Sequence, residues 1–277
     1  MPDLSQCQHT QRNYSAVKVL LLTFQFNDLN LEPETEKVKE TFESVGYDVE
    51  PYEIEMENSL SNLQRKLDAF LRCERTDTLF IVYYHGHGLL AGGEFVFASH
   101  NRPTMAELSK MDFSDNPGNR ERLLQFLSRN KPIAEIPWEV IRKSIKAAQC
   151  NTLIIVDCCA AGLAAVPGLA AVPTQVSETE PRATHRVEFI GACSWANKTR
   201  DHMSPKMCDV LDRCFNGHNS DISMSTSTLV RGMNVMLAKA FREGRDVQQT
   251  VHYVLELTSV DKMSLPNLRQ RRQNTTG

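Results

Sequence analysis

The sequence predicts an α/β protein of three layers, with a mostly parallel central sheet of about six strands. Three observations carry that expectation. Val17–Phe24, Thr78–Tyr84 and Asn151–Asp157 are predominantly apolar runs, as strands buried on both faces require. Segments with helical periodicity separate them. The order strand, helix, strand, helix, strand at the start of the chain calls for parallel pairing with crossover helices.

The elements follow in turn. Val17–Phe24 is the first strand. After Pro33, Glu34–Val45 reads as a helix with acidic residues at its start and Gly46 beyond its end. Tyr47–Ile54 alternates weakly and reads as a second strand. Ser59–Cys73 carries Leu60, Leu63, Leu67 and Leu71 at helical spacing, with Ser59 or Ser61 available as a cap. Thr78–Tyr84 is the next strand. Gly92-Gly93 lies between two apolar stretches and predicts a hairpin. The polar segment Ser99–Glu135 reads as a surface insertion with a short helix near Arg120–Ser128. Pro137 opens a helix over Trp138–Ala148, and Asn151–Asp157 is again a buried strand.

Beyond it, Ala160–Arg186 contains a near-duplicate, Leu163–Pro167 and Leu169–Pro173, and after a short helical start reads as a loop. Val187–Ser194 is the next strand. Trp195–Ser227 reads as a second long loop, and Thr228–Arg242 and Asp246–Leu257 as two helices joined at Gly244. The basic tail from Arg269 to Arg272 is expected to fray. One domain over residues 15–260 accommodates these elements, with tails at 1–14 and 261–277.

Composition narrows the classes of function. Of 277 residues, 41% are hydrophobic and 23% charged, and the formal net charge is -3. This balance gives no sign of nucleic-acid binding. No apolar run approaches membrane-spanning length, and Met1–Tyr14 lacks an apolar signal core. The eight cysteines are therefore expected to be reduced thiols in the cytoplasm or nucleus.

Chemistry concentrates at two strand ends, Tyr84-His85-Gly86-His87-Gly88 and Asp157-Cys158-Cys159-Ala160-Ala161-Gly162. Ligands in open parallel sheets bind beyond the carboxyl ends of the strands. If these two strands are neighbours, an imidazole and a thiol open into one crevice, and the pair suits nucleophilic catalysis. Gly86 and Gly88 allow close approach of backbone to substrate. The amides of Gly88 and Cys159 could hold an oxyanion, an interaction worth about 3 kcal/mol per donor. Strand alternation puts Asp157 and Cys159 on one side and Cys158, the rival nucleophile, on the other. His85 and His87 form His-x-His, so zinc with Cys158, Cys159 or Asp157 is an alternative, although no second metal spacing accompanies it. His185, His202, His218 and His252 have no partner motif. Cys193 lies inside an apolar strand and reads as core.

These two motifs resemble those of caspase-like cysteine proteases. Tyr84–Gly88 is similar to the metacaspase Ser-Gly-His-Gly motif, and Asp157–Gly162 to Asp-Ser-Cys-His-Ser-Gly, with Cys158 in place of Ser. The resemblance spans roughly Val17–Leu257, and filamentous-fungal caspase-like domains are the nearest match it suggests. It implies a three-layer caspase-like fold and a cysteine endopeptidase with catalytic His87 and Cys159. It implies that Asp157 shapes a pocket for Arg or Lys, and that regulated cell death or immune-type signalling is the setting.

Family members are often processed between these two strands, which singles out Arg182 and Arg186 as self-cleavage positions. Two features depart from the family. Cys193-Ser194-Trp195-Ala196-Asn197 lacks the second acidic cluster, with no acid before Asp201. The acidic calcium pattern is not clear either, so no cofactor is expected and calcium activation stays open. The implied partners are protein or peptide substrates, not nucleic acid or membrane; a homodimer or partner signalling domains stay open. A catalytically inactive caspase-like scaffold is the alternative reading.

Overall fold

The structure is a computed structural model that describes residues 14–72, 75–99, 117–128, 134–148, 150–165, 185–193, 203–216, 223–244, 248–256 and 263–269. Its centre is a six-stranded sheet in the order β10-β8-β7-β3-β1-β2. The strands are β1 (Ala16–Phe24), β2 (Asp48–Ile54), β3 (Thr78–His85), β7 (Asn151–Asp157), β8 (Val187–Gly191) and β10 (Val251–Glu256). Every pairing is parallel except that of β10 with β8.

Alternation along the strands sorts their side chains into two cores. Leu20, Leu22, Phe80, Val82, Ile154 and Val156 face one side, where α2 (Ser59–Phe70) and α4 (Trp138–Ala147) cover them. Val19, Leu21, Leu79, Ile81, Leu153 and Ile155 face the other, under α1 (Glu32–Ser44), α5 (Met203–Phe215) and α6 (Thr226–Arg242). Burial on both faces is the reason the strands read as predominantly apolar runs. The expected α/β/α layering and the mostly parallel six-stranded sheet are therefore what the chain forms.

Near the site a three-stranded antiparallel sheet joins β4 (His87–Ala91), β5 (Glu94–Ala98) and β6 (Glu135–Pro137). The hairpin was legible, but β6 was not, because three residues carry too little alternation to register. The helix α3 (Pro117–Ser128) lies within the predicted insertion.

Three expectations are corrected. Asp246–Leu257 does not form a helix: β10 runs antiparallel to β8, and Val251, Tyr253 and Leu255 pack against the core at every second position. That is a strand period. Trp195–Ser227 is not all loop, since it contains α5 and the short strand β9 (Ser223–Ser225). In α5 Met203, Met207, Val210, Leu211 and Phe215 are buried, a helical spacing spread over methionines and interrupted by charged residues. Arg269 is not frayed, because its amide and that of Leu268 donate to the Val45 carbonyl. The preceding strand β11 (Ser264–Pro266) pairs with β9.

The chain order along the sheet places β2 on one side of β1 and β3 on the other. A crevice opens at such a switch point, beyond the carboxyl ends of the strands. The carboxyl ends of β1, β3 and β7 lie side by side there.

Candidate active site

β3 and β7 are adjacent and parallel, and their last aligned pair is His85 with Asp157. His87 and Cys159 each lie two residues past that pair. The Gly86 amide donates to the Asp157 carbonyl at 3.3 Å, so the two strand ends stay joined where they leave the sheet.

Beyond this point the backbones nearly touch. A Cβ on Gly88 would lie 2.4 Å from Cys158 Sγ and 2.4 Å from the Cys159 carbonyl oxygen. No real Cβ is tolerated at such distances, so Gly88 is required for the His87–Gly88 backbone to lie on Cys158–Cys159. Gly86 has a similar origin: a Cβ there would sit 2.5 Å from the Tyr84 hydroxyl oxygen. That hydroxyl lies 2.8 Å from the His87 carbonyl and 3.3 Å from that of Ala98. The Tyr84 ring stacks on Phe97 with centroids 3.7 Å apart. Tyr84 thus ties the His87 backbone to the hairpin.

The loop after β7 is held as firmly. Ala160 adopts φ 56°, turning the chain sharply into a 3-10 turn at Ala161–Ala165. The Gly162 amide donates to the Cys193 carbonyl at 2.9 Å. Trp138 Nε1 donates to the Ala164 carbonyl at 2.8 Å. Cys159 therefore sits on a turn anchored to both β8 and α4.

The two adjacent thiols differ in environment. Cys158 is buried among the core residues beneath the sheet, and burial, then the nearby Cys193, Cys159 and Asp157, pushes its thiol well above the ordinary range. Its Sγ approaches the Cys159 carbonyl at 3.2 Å. Cys159 is only part-buried. A thiolate nucleophile needs both access and ionisation, and Cys158 has neither.

The two histidines face different acids. His87 Nε2 lies 2.5 Å from Asp28 Oδ1. His85, fully enclosed at the end of β3, lies 3.6 Å from Glu34 Oε2 through Nε2 and 3.3 Å from Thr35 Oγ1 through Nδ1. The zinc alternative gains nothing from this arrangement: among the described residues no three His, Cys, Asp or Glu side chains cluster to hold a metal.

Asp157 is buried and turned toward α5. Its Oδ2 accepts from the Ser204 amide at 3.0 Å and from the Ser204 hydroxyl, which also meets the Tyr83 hydroxyl. A carboxylate beside the first turn of a helix satisfies an amide left open there. Burial, and then the Asp157 charge, pushes the Tyr83 phenol well up, so it remains a donor. Asp157 therefore has a structural task, holding the first turn of α5 against the end of β7.

Arg186 is buried, with its Nε donating to Glu188 and its amide to Asn151 Oδ1 at 2.8 Å. A peptidase needs an accessible, extended segment, so the bond after Arg186 is a poor cleavage site in the folded chain. Arg182, Ser194, Trp195 and Asp201 lie outside the described residues.

Sequence reasoning missed Asp28 and Glu188. Asp28 follows β1 in a polar segment with no motif around it, and only the tertiary contact with His87 singles it out. Glu188 sits inside an apolar strand, and a charge there is itself a signal of a buried partner.

The model of the caspase domain matches residues 28–249, more than half of the chain. A solved structure, caspase-1 from Spodoptera frugiperda, superposes with a TM-score of 0.49 at 11% identity, covering 95% of each chain. No curated protein matches in sequence. No helix among the described residues is long and apolar enough to cross a membrane. The extent of the family match, over a sheet whose strand ends bring the His87 and Cys159 segments together, places this chain in the caspase family of cysteine-type peptidases.

Proposed function

We propose that this caspase-family chain is a cysteine endopeptidase with a His87–Cys159 dyad that cleaves after Arg or Lys. The observation that carries the reading is the contact of the His87–Gly88 backbone with Cys158–Cys159 at adjacent strand ends. Cys159 gives its proton to His87 and attacks the peptide carbonyl. The Gly88 and Cys159 amides receive the oxyanion. His87 then returns the proton to the leaving amine, and water releases the acyl-enzyme. These steps need no cofactor. The peptidase unit is taken as one domain that runs past the expected boundary at residue 260 to include β11 and Leu268–Arg269.

The preference for a basic side chain rests on the acids at the crevice. Glu34, in the first turn of α1, faces His85, and the buried Asp157, although bonded to Ser204, adds negative charge beneath the strand ends, so an acidic substrate side chain would be repelled there. Self-cleavage is assigned to Arg182 rather than the buried Arg186. Regulated cell death or immune-type signalling is the setting suggested by the resemblance of the two motifs to metacaspases.

The test is hydrolysis of fluorogenic peptides that differ only in the last residue. Peptides ending in Arg or Lys are expected to be cleaved at least about tenfold faster than one ending in Asp, the separation one unfavourable charge contact produces. Asp157→Asn is expected to narrow that ratio while retaining a cooperative melt. Preferential cleavage after Asp, or an unchanged ratio in folded Asp157→Asn, contradicts the pocket assignment.

A further inference from the structure

We propose that Asp28 is the positioning residue of the active site and holds the His87 imidazole in its working tautomer and orientation. The proposal rests on the dyad reading above. The observation is local and specific: Asp28 Oδ1 lies 2.5 Å from His87 Nε2, with side-chain exposures of 3% for Asp28 and 12% for His87.

Asp28 is delivered by a built turn. After β1 ends at Phe24, the Asn27 side chain donates to the Phe24 carbonyl at 3.4 Å and accepts from the Leu29 amide at 3.1 Å. Asn27 is itself buried. These two bonds bracket Asp28 and fix the backbone from which its carboxylate reaches across the β1/β3 switch point. Asp28 thus comes from the turn after β1, and β1 is the sheet neighbour of β3, whose end leads to His87.

The chemistry follows from what a carboxylate can do. An ionised carboxylate only accepts, so Nε2 must carry the hydrogen in the neutral ring. Nδ1 is then the basic nitrogen, free to take the Cys159 proton. The Nε2–H stays with Asp28 throughout. When Nδ1 is protonated, the carboxylate faces the full imidazolium charge and stabilises it. When Nδ1 passes its proton to the leaving nitrogen, the neutral ring returns to the same tautomer. A base oriented by a third group is the general logic of nucleophile–base pairs. Burial strengthens the contact, since little water competes for either partner.

A substrate-binding role for Asp28 predicts a different outcome from a positioning role, and the two separate in kinetics. Loss of positioning lowers kcat with little change in KM, whereas loss of a substrate contact raises KM. The experiment compares Asp28→Ala and Asp28→Asn with the parent chain on an Arg-ending peptide. It is paired with NMR of histidine labelled with nitrogen-15 in the Cys159→Ala chain, with and without Asp28→Ala. The expected kinetic result is a kcat lower by roughly 10²–10⁴ at nearly constant KM. The expected spectrum shows a slowly exchanging proton on His87 Nε2, identified by its disappearance in His87→Ala and lost again when Asp28 is replaced. A parent spectrum with the proton on Nδ1 overturns the proposal, as does a folded Asp28→Ala with unaltered kcat or with only a raised KM. The spectrum needs no turnover, so it decides the role of Asp28 even where the peptidase reading fails on the peptide.

Discussion

Cys159→Ala is expected to abolish peptide hydrolysis, while Cys158→Ala keeps most of it. The adjacent cysteines invite confusion in sequence, and the fold separates them. Cys158 points into the core and lies against Gly88, with its thiol pushed up by burial. Cys159 stands on the turn that follows, part-exposed, with the His87 segment alongside. Removing a nucleophile from a working dyad costs roughly 10⁴-fold or more in kcat. Truncating Cys158 deletes one buried sulfur and leaves the dyad in place, so kcat is expected to stay within about fivefold of the parent, the effect of a small shift in positioning. Side-by-side progress curves on an Arg-ending peptide check both. Loss of activity in a folded Cys158→Ala with retention in Cys159→Ala would exchange the assignments.

The second large effect is on stability. Glu188, buried in β8, accepts from Arg186 Nε and the Thr226 hydroxyl, contacts His252 Nε2 at 2.8 Å and receives the Met263 amide at 3.4 Å. One carboxylate thereby ties the entry of β8 to the edge strand β10, the start of α6 and the segment before β11. Burial alone would raise its carboxyl, but the bonds from His252, Thr226 and Arg186 outweigh that and hold it below the ordinary value.

Glu188→Ala removes the carboxylate that bonds Arg186, Thr226, His252 and the Met263 amide in the interior and is expected to cost about 3–5 kcal/mol in a urea melt. The sign of the pH dependence follows from the lowered carboxyl. Its contribution is full above the unfolded value, about 4.3 for Glu, and is lost as pH falls through the folded value. The stability gap between the parent and Glu188→Gln should therefore shrink below about pH 4. A gap that widens in acid, or a Glu188→Ala chain as stable as the parent, contradicts this account.

Much of the fold was legible because its signals were local. β1, β3 and β7 are buried on both faces, so their apolar runs stand out against any background. The motifs at their ends were legible for the same reason, since glycine and cysteine abut each strand directly. The elements that escaped depend on tertiary context. The alternation of Val251, Tyr253 and Leu255 in β10 is masked by the apolar Val254 among the residues between them. Helix α5 buries methionines and a cysteine rather than a leucine stripe. The meeting of the His87–Gly88 and Cys158–Cys159 segments was readable from the position of their motifs at two strand ends. Asp28 was not, because a contact 59 positions apart in the chain leaves no trace in spacing. Asp157 was readable as the last residue of its strand, but its bond to Ser204 depends on where α5 packs.

The central claim is that His87 activates Cys159 across the joined ends of β3 and β7. The most direct measurement is covalent labelling by an Arg-ending peptidyl chloromethyl ketone, with the modified residue located by mass spectrometry in the parent and in His87→Ala. The account predicts one label per chain, on Cys159, formed at least about 10²-fold more slowly without His87. A label on Cys158, or labelling of Cys159 at the same rate in folded His87→Ala, would contradict it.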